Sequence, residues 1–444
     1  MSDASFYRWI CAIGQLMAPA PPATAKPRKD PPVTVLQELA MRPAPAARWS
    51  WNASVGTRLF LAGTVIFTLL VGANLATPLY PLLQARIGFD SVGVTVAFTA
   101  YVVALIGGLV LFGHWSDHIG RRAALVLAVV VGLAGGLVFG SAGSLPLLVA
   151  GRALQGLAVA IGTGASAAAL RDLMPSRPDW ASRFTLLSSS GGVAAGPVVG
   201  GLLSLLPGHT QAPFLVHSVI LLVLLVPLLL LNARPALSPA PAGQGRNYLR
   251  PRLPALGRSA RGTFWLAATT GFVSFAVFGF CLSLAPGYFA HIMHADSRPL
   301  IGLLAALTLG CSALSQLLSL RGRFLVPTGL LLLGASVVLI AAAGTLHSPV
   351  LLVLASISAG FGQGAAFRVV FNDVAAAVEP ARHAQVISAV YIVTYLGSAV
   401  PVLGLGVAVK LWGLQASVSG FAVPIALACA ALAVAAQCLA GRIR

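Results

Sequence analysis

Twelve runs of roughly twenty predominantly apolar residues divide the chain, and they restrict its fold more than any other feature. They cover residues 59–83, 92–112, 123–140, 144–170, 186–206 and 214–231, then 264–289, 301–320, 324–343, 350–371, 386–409 and 418–439. A helix of about 20 residues crosses the hydrocarbon of a bilayer and satisfies its own backbone hydrogen bonds there. Only 9% of the 444 residues are charged, against about 25% in an ordinary soluble domain. So few charges cannot cover a water-facing surface, so most of the exterior must meet lipid. The expected fold class is an all-α membrane protein with twelve transmembrane helices.

A net charge of +18 would, in a soluble protein, raise nucleic acid as a partner. No basic helix or patch interleaved with aromatics occurs here, so nucleic acid is not expected. The cations sit between the apolar runs instead, where they set orientation by the positive-inside rule. With both termini cytoplasmic, 23 Lys and Arg fall inside and three (Arg86, Arg298, Lys410) fall outside, while Arg152 and Arg368 lie within runs. The opposite orientation would invert that bias. Cys11, Cys281, Cys311, Cys429 and Cys438 show no metal-ligand spacing, and four of them lie in apolar runs as small hydrophobes. No metal or other cofactor is expected.

Residues 1–56 are rich in Pro and Ala and read as a disordered cytoplasmic tail. A six-helix bundle is expected over 57–231 and a second over 263–439, joined by a cytoplasmic linker over 232–262 and followed by a cytoplasmic C-terminus over 440–444. The two halves share an offset. Pro81 and Pro286 are 205 residues apart, as are Pro175 and Pro380, while Pro197 and Pro401, like Gly200 and Gly404, are 204 apart. One matched proline means little in membrane helices, but several at one offset indicate an internal duplication and two pseudo-symmetric halves.

The loop after the second run reads Gly113-His-Trp-Ser-Asp117-His118-Ile-Gly120-Arg121-Arg122. Gly113 lets a helix end approach a neighbour, and Gly120 permits a tight turn. Arg121 and Arg122 suit anionic headgroups, and Asp117 can pair with a nearby arginine. The plain alternative is an ordinary cytoplasmic turn. In this loop the chain resembles the major facilitator superfamily, whose signature is Gly-x3-Asp-(Arg/Lys)-x-Gly-(Arg/Lys)-(Arg/Lys). Gly113, Asp117, Gly120, Arg121 and Arg122 match, and His118 replaces the usual cation. The second-half loop, Ser319-Leu-Arg321-Gly322-Arg323, keeps basic character and lacks the Asp. The resemblance covers roughly residues 57–441. It implies alternating access between two six-helix halves, with the loop acting in the conformational change.

In the fifth run, Gly192, Gly196 and Gly200 line one helix face for close packing, beside Gly201. Pro197 removes a donor, so the helix should bend there. The string Gly192-x3-Gly196-Pro197-x2-Gly200-Gly201 resembles the motif of the drug:proton antiporter branch. That resemblance implies proton-coupled efflux of a drug-like or metabolite substrate. The fourth run carries Arg152 and Gln155. A mid-membrane arginine costs about 2.5–3.5 kcal/mol on insertion scales and should face protein or a water-filled cavity, unless it snorkels to an interface. The resemblance gives Arg152 a part in proton coupling. Arg368 in the tenth run, with Asp373 beyond it, is a second candidate for the substrate or proton pathway.

One family feature is missing. Many proton-coupled relatives carry an acid in the first helix, and 59–83 has none. Asp117, Asp373 and Glu379 are the remaining carboxylates near the pathway, and His217 reads as an interfacial histidine. Two buried arginines without buried acids would also suit uptake of an organic anion. Asn74, Tyr80, Phe272, Phe275, Tyr288, Tyr391 and Tyr395 are candidates to line a cavity, against the plainer reading that they pack or face lipid. A non-transporting membrane sensor is a third, minor reading. No paired carboxylates or nucleophile–base arrangement is visible, so an enzyme is not expected. The expected partners are a small-molecule substrate, protons and the bilayer, and a monomer is expected. The excess of Arg over Lys, with abundant Ala and Gly, points to a GC-rich bacterium and hence an inner (plasma) membrane. Orientation is open to a direct check: fluorescent-protein fusions after residue 444 should fluoresce, and alkaline phosphatase inserted at residue 208 should be active. The reverse pattern would overturn the inside assignment.

Overall fold

The computed structural model describes residues 51–113, 115–232, 261–293, 297–318, 322, 324–378 and 383–442. Most of the tail and linker, together with Arg321, Arg323 and Glu379, lie outside the described residues. The described residues hold twelve helices long and apolar enough to cross a membrane. These are α1 (Val55–Ile87, interrupted), α2 (Ser91–Phe112), α3 (Arg121–Gly140), α4 (Leu145–Leu173), α5 (Pro178–Leu203) and α6 (Ala212–Leu230). The second set is α7 (Arg261–Ser283), α8 (Arg298–Leu317), α9 (Leu325–Thr345), α10 (Pro349–Ala377), α11 (His383–Trp412) and α12 (Leu414–Arg442).

Local chemistry marks the helix ends. Ser54, Asp90 and Ser348 accept hydrogen bonds from the backbone N–H of Thr57, Gly93 and Leu351, each satisfying one orphan donor of a first turn. Proline opens α4, α5, α6, α8 and α10, where its missing N–H costs nothing. Several helices exceed their apolar runs. The longest extension at one end is that of α5, which begins at Pro178 and so takes Arg183 into the helix. The chain is also structured earlier than the tail boundary at 56 suggests. Trp51 pairs with Leu231 in a short parallel bridge, and α1 begins at Val55. Phe60, Val219, Val223, Leu411 and Leu427 are among the large apolar side chains left exposed, as a lipid-facing surface requires.

Each half repeats one packing scheme. In the first, α1 packs on α5, α2 on α4, α3 on α4 and on α6. In the second, α7 packs on α11, α8 on α10, α9 on α10 and on α12. The halves meet where α5 packs on α8 and α2 on α11. By helix parity, the Asp117–Arg122 loop lies on the face where α1 begins and α12 ends, here termed the basic face. The close approaches between halves are at the opposite face. A Cβ built at Gly302 of α8 would sit 2.2 Å from the Pro197 carbonyl oxygen of α5, and one at Gly201 would sit 2.6 Å from that of Arg298. On the other seam, a Cβ at Gly406 of α11 would fall 2.2 Å from Thr95 Oγ1, and Ser91 Oγ donates to the Gly406 carbonyl at 2.9 Å.

A side chain at 302 cannot fit this seam. Gly302→Leu should part the halves at the opposite face, making Thr95→Cys, in a background without native cysteines, reactive toward a membrane-impermeant maleimide. Unchanged protection of that cysteine would show that the seam does not close this face.

Candidate functional site

The centre of the site is a break in α1. Regular helix runs from Val55 to Asn74, a 3-10 turn occupies Thr77–Leu79, and helix resumes over Tyr80–Ile87. Pro78 has no N–H to donate, which breaks the ladder and leaves carbonyls at the end of the first piece without helical partners. Arg152 of α4 answers one of them: its Nη1 donates to the Ala73 carbonyl, and also to Gln155 Oε1 at 2.9 Å. Its guanidinium carbon lies 4.6 Å from the centroid of the Tyr101 ring of α2. Arg152 is 2% exposed, so it is a buried cation and does not snorkel. No carboxylate among the described residues pairs with it. Its Nε and the Tyr80 hydroxyl are both buried without a hydrogen-bond partner.

The glycines of α5 and α4 allow this cluster to close. A Cβ at Gly196 would lie 2.5 Å from Asn74 Cβ, and one at Gly200 would lie 2.3 Å from the Leu75 carbonyl oxygen. Gly192 faces the Phe67 carbonyl at 2.6 Å in the same sense. The face Gly192–Gly196–Gly200 therefore holds α5 against α1 up to the break, while Gly201 turns toward α8. Pro197 sits inside α5, which stays helical to Leu203. Gly156, one turn after Arg152, packs on the Tyr101 carbonyl at 2.2 Å from a built Cβ, fixing the ring under the guanidinium.

His217 is not interfacial. It is 5% exposed, its ring fills the space a side chain at Gly72 would need, and its Nε2–H donates to the Thr68 carbonyl at 2.9 Å. Nδ1 is buried without a partner. Asn74 is likewise buried and donates to the Leu70 carbonyl, while Tyr288 donates from inside the second half to the Ile340 carbonyl at 3.1 Å. Phe272 offers its carbonyl to the close approach of Gly397. Phe275, Tyr391 and Tyr395 remain half-buried, with Tyr395 packed against the core of the first half. Arg368 is half-buried on α10, and Asp373 is exposed one turn before that helix ends.

On the basic face, Gly113 ends α2 with its carbonyl 3.3 Å from a Cβ built at Gly164 of α4. Gly120 has φ 93°, a left-handed conformation that only glycine adopts without strain. Arg121 pairs with Asp117 at 2.6 Å and with Asp172 of α4 at 2.8 Å, tying loop to helix. Buried Arg122 donates to the Leu231 carbonyl at the end of α6. Arg121, Arg122 and Asp172 also line a cavity of about 290 Å³ between α1, α3, α4 and α6.

The opposite face carries an ion pair between halves, Lys410 to Asp90 at 2.8 Å. Lys410 first, then the Gly93 N–H, hold the Asp90 carboxyl below its ordinary value of 3.8. A depressed carboxyl stabilises the folded state above its ordinary range, and the contribution disappears as pH falls through the lowered value. The pair is exposed and therefore worth no more than about 1 kcal/mol.

The family model described as the Major Facilitator Superfamily matches residues 61–402. Over 171 residues the chain is 32% identical to the tetracycline resistance protein, class E, of Escherichia coli, covering 36% of this chain and 40% of that protein. It is 27% identical over 166 residues to the chloramphenicol resistance protein of Pseudomonas aeruginosa, covering 35% of this chain and 38% of that protein. The chain thus matches less than half the length of these curated relatives. Among solved structures, a bacterial homolog of the human lysosomal transporter Spinster, inward-facing and unoccupied, superposes with a TM-score of 0.71 at 15% identity, covering 86% of this chain and 97% of that one. That likeness concerns the fold.

Removing the Arg152 charge forfeits its hydrogen bonds but also its desolvation cost, and such terms nearly cancel when the replacement packs well. Arg152→Met should therefore change stability by no more than about 1–2 kcal/mol, whereas Arg152→Glu, an anion facing two carbonyl oxygens, should lose about 3–5 kcal/mol. Thermal unfolding in detergent checks this, and equal losses in both variants would count against a balanced cation.

Proposed function

The chain belongs to the Major Facilitator Superfamily, and from that premise we propose that it moves a small molecule across a bilayer by alternating access, as a proton-coupled exporter. The observation that carries the reading is the asymmetry of the seam. Two six-helix halves repeat one packing scheme and close on each other at the opposite face, through Gly302 against Pro197 and Lys410 against Asp90. Rocking about that seam would expose the Arg152 level to each side in turn. The Arg121–Asp117–Asp172 network ties the loop to α4 within the first half, so loop and helix would move as one piece. Membership speaks for a transporter and not an enzyme.

Export is favoured by the relatives named for tetracycline and chloramphenicol resistance, and by the Gly192–Gly201 string. The 23-to-3 bias of basic residues supports an orientation with the basic face in the cytoplasm and the opposite face outside, and the bacterial relatives support an inner membrane. The structure would then be an inward-facing state. With no acid in α1, the titrating group must lie elsewhere, and we assign that part to His217 and Asp373, with Arg152 and Gln155 supplying a fixed charge and hydrogen bonds on the pathway. Arg152 supports a second reading, organic-anion uptake by the same fold, because no carboxylate among the described residues neutralises it.

Inverted membrane vesicles separate the readings. Energised vesicles should accumulate at least one member of a panel including tetracycline and chloramphenicol, and a protonophore should abolish the accumulation. Accumulation that survives collapse of the gradient would overturn proton coupling. Transport of organic anions alone, in the inward direction, would favour the second reading.

A further inference from the structure

His217 of α6 is wedged against α1 just before its break. A Cβ built at Gly72 would fall 2.1 Å from Cε1 and 2.4 Å from Nε2 of the ring, so the imidazole takes the place of the missing side chain. A carbonyl can only accept, so the 2.9 Å contact with the Thr68 carbonyl puts the hydrogen on Nε2. Nδ1 then carries the lone pair. It is buried without a partner, beside Gly136 of α3. Such a place holds a neutral ring. A second proton, on Nδ1, would add a charge and a donor with no acceptor within hydrogen-bond reach. The next residue of α1, Ala73, carries the carbonyl that Arg152 caps, so whatever holds Gly72 also holds the start of the break.

We propose that His217 is a proton-operated latch on α1: neutral, it pins Gly72 and the break, and protonated, it leaves the wedge and frees α1 to move. The inference deepens the assignment of the titrating part to His217 and rests on that reading. Among the described residues, nothing near the ring compensates the added charge. α6 packs on α3, α1 and α5. The charged side chains of those helices stand near their ends: Arg58 and Arg86 on α1, Arg121 and Arg122 on α3, Asp179 and Arg183 on α5. α6 has no other titratable side chain. Asp179 belongs to the basic end of α5, whereas His217 lies about 7.5 Å of helix rise from the start of α6 at the opposite face. Around the break, Tyr80 on α1 and Arg152 on α4 are the other titratable or charged groups, and neither neutralises a cation. The depth of His217 suits an exporter, whose driving proton arrives from the opposite face. Opening of the seam there would let water reach the ring, so release of α1 would be timed to the state that meets the proton.

Purified full-length protein in detergent tests the latch by amide hydrogen exchange from Ile66 to Tyr80, with variants and wild type compared at the same pH. His217→Gln keeps an N–H for the Thr68 carbonyl and takes no proton. The two proteins should exchange alike near about pH 8, and wild type should exchange at least about fivefold faster near about pH 5.5. Gly72→Ala, whose Cβ expels the ring, should exchange fast at both pH values. Histidine-selective NMR should show one ring that titrates over this range in wild type and is missing from His217→Gln. Identical exchange profiles in wild type and His217→Gln would overturn the latch. So would Gly72→Ala exchanging like wild type near about pH 8, or a His217 ring that stays neutral down to about pH 5. Inverted vesicles keep the two readings apart. Protonophore-sensitive accumulation with a wild-type pH profile in His217→Gln would defeat the latch and leave proton coupling standing. Accumulation indifferent to the protonophore, with the exchange response intact, would defeat proton coupling alone.

Discussion

Hydrocarbon offers no hydrogen-bond partner and no hydrophobic gain from helix association, since lipid tails are as apolar as leucine. The first condition makes the chain helical throughout its spans. The second makes its assembly depend on how closely backbones approach. Gly156 against Tyr101, Gly200 against Leu75, Gly302 against Pro197 and Gly360 against Thr308 all pack so tightly that a built Cβ would lie 2.2–2.3 Å from a carbonyl oxygen. Such contacts add dispersion and weak Cα–H···O attraction at each crossing. They also decide which polar groups can meet. Arg152 reaches the Ala73 carbonyl because α4, α2, α1 and α5 are drawn together around the break in α1.

Arg152 shows how the fold tolerates charge. Placing it mid-membrane costs about 2.5–3.5 kcal/mol. Two hydrogen bonds from a charged donor, about 1.5–3 kcal/mol each, and a tyrosine face worth about 0.5–2 kcal/mol are of the size needed to offset that. The favourable terms are at least as large as the cost, so the cation is tolerated with no carboxylate beside it among the described residues. The exposed Asp90–Lys410 pair differs in kind. Its solvated charges gain little from pairing, so it closes the opposite face weakly and reversibly.

Much of this was legible in the sequence. Twelve apolar runs gave the helix count because hydrophobic length is a local property. The glycine spacing in α5 marked its packing face, and the place of Arg152 inside an apolar run meant that it should face protein or a water-filled cavity unless it snorkelled. The break in α1 was less visible: Pro78 and Pro81 signalled it, yet the uninterrupted apolar run masked them. His217 was misread for a similar reason. Its position near a helix end suggested an interface, but Gly72 and Gly136 on two other helices leave a pocket for its ring.

A circuit of aromatic rings in the second half lies furthest from local reading. Its rings, Phe275, Phe367, Phe371, Tyr391 and Tyr395, come from three helices; the sequence offered Phe275, Tyr391 and Tyr395 as candidates to line a cavity, but nothing local joined them to Phe367 and Phe371. The sequence by itself determined the class of fold, the duplicated halves, the basic bias that orients them and the buried cation. Each of these follows from composition or from spacing along one helix. Tertiary structure decided which carbonyl the cation caps, which face of the seam is closed and which aromatic rings meet. Those depend on distances between helices, and only backbone packing sets them.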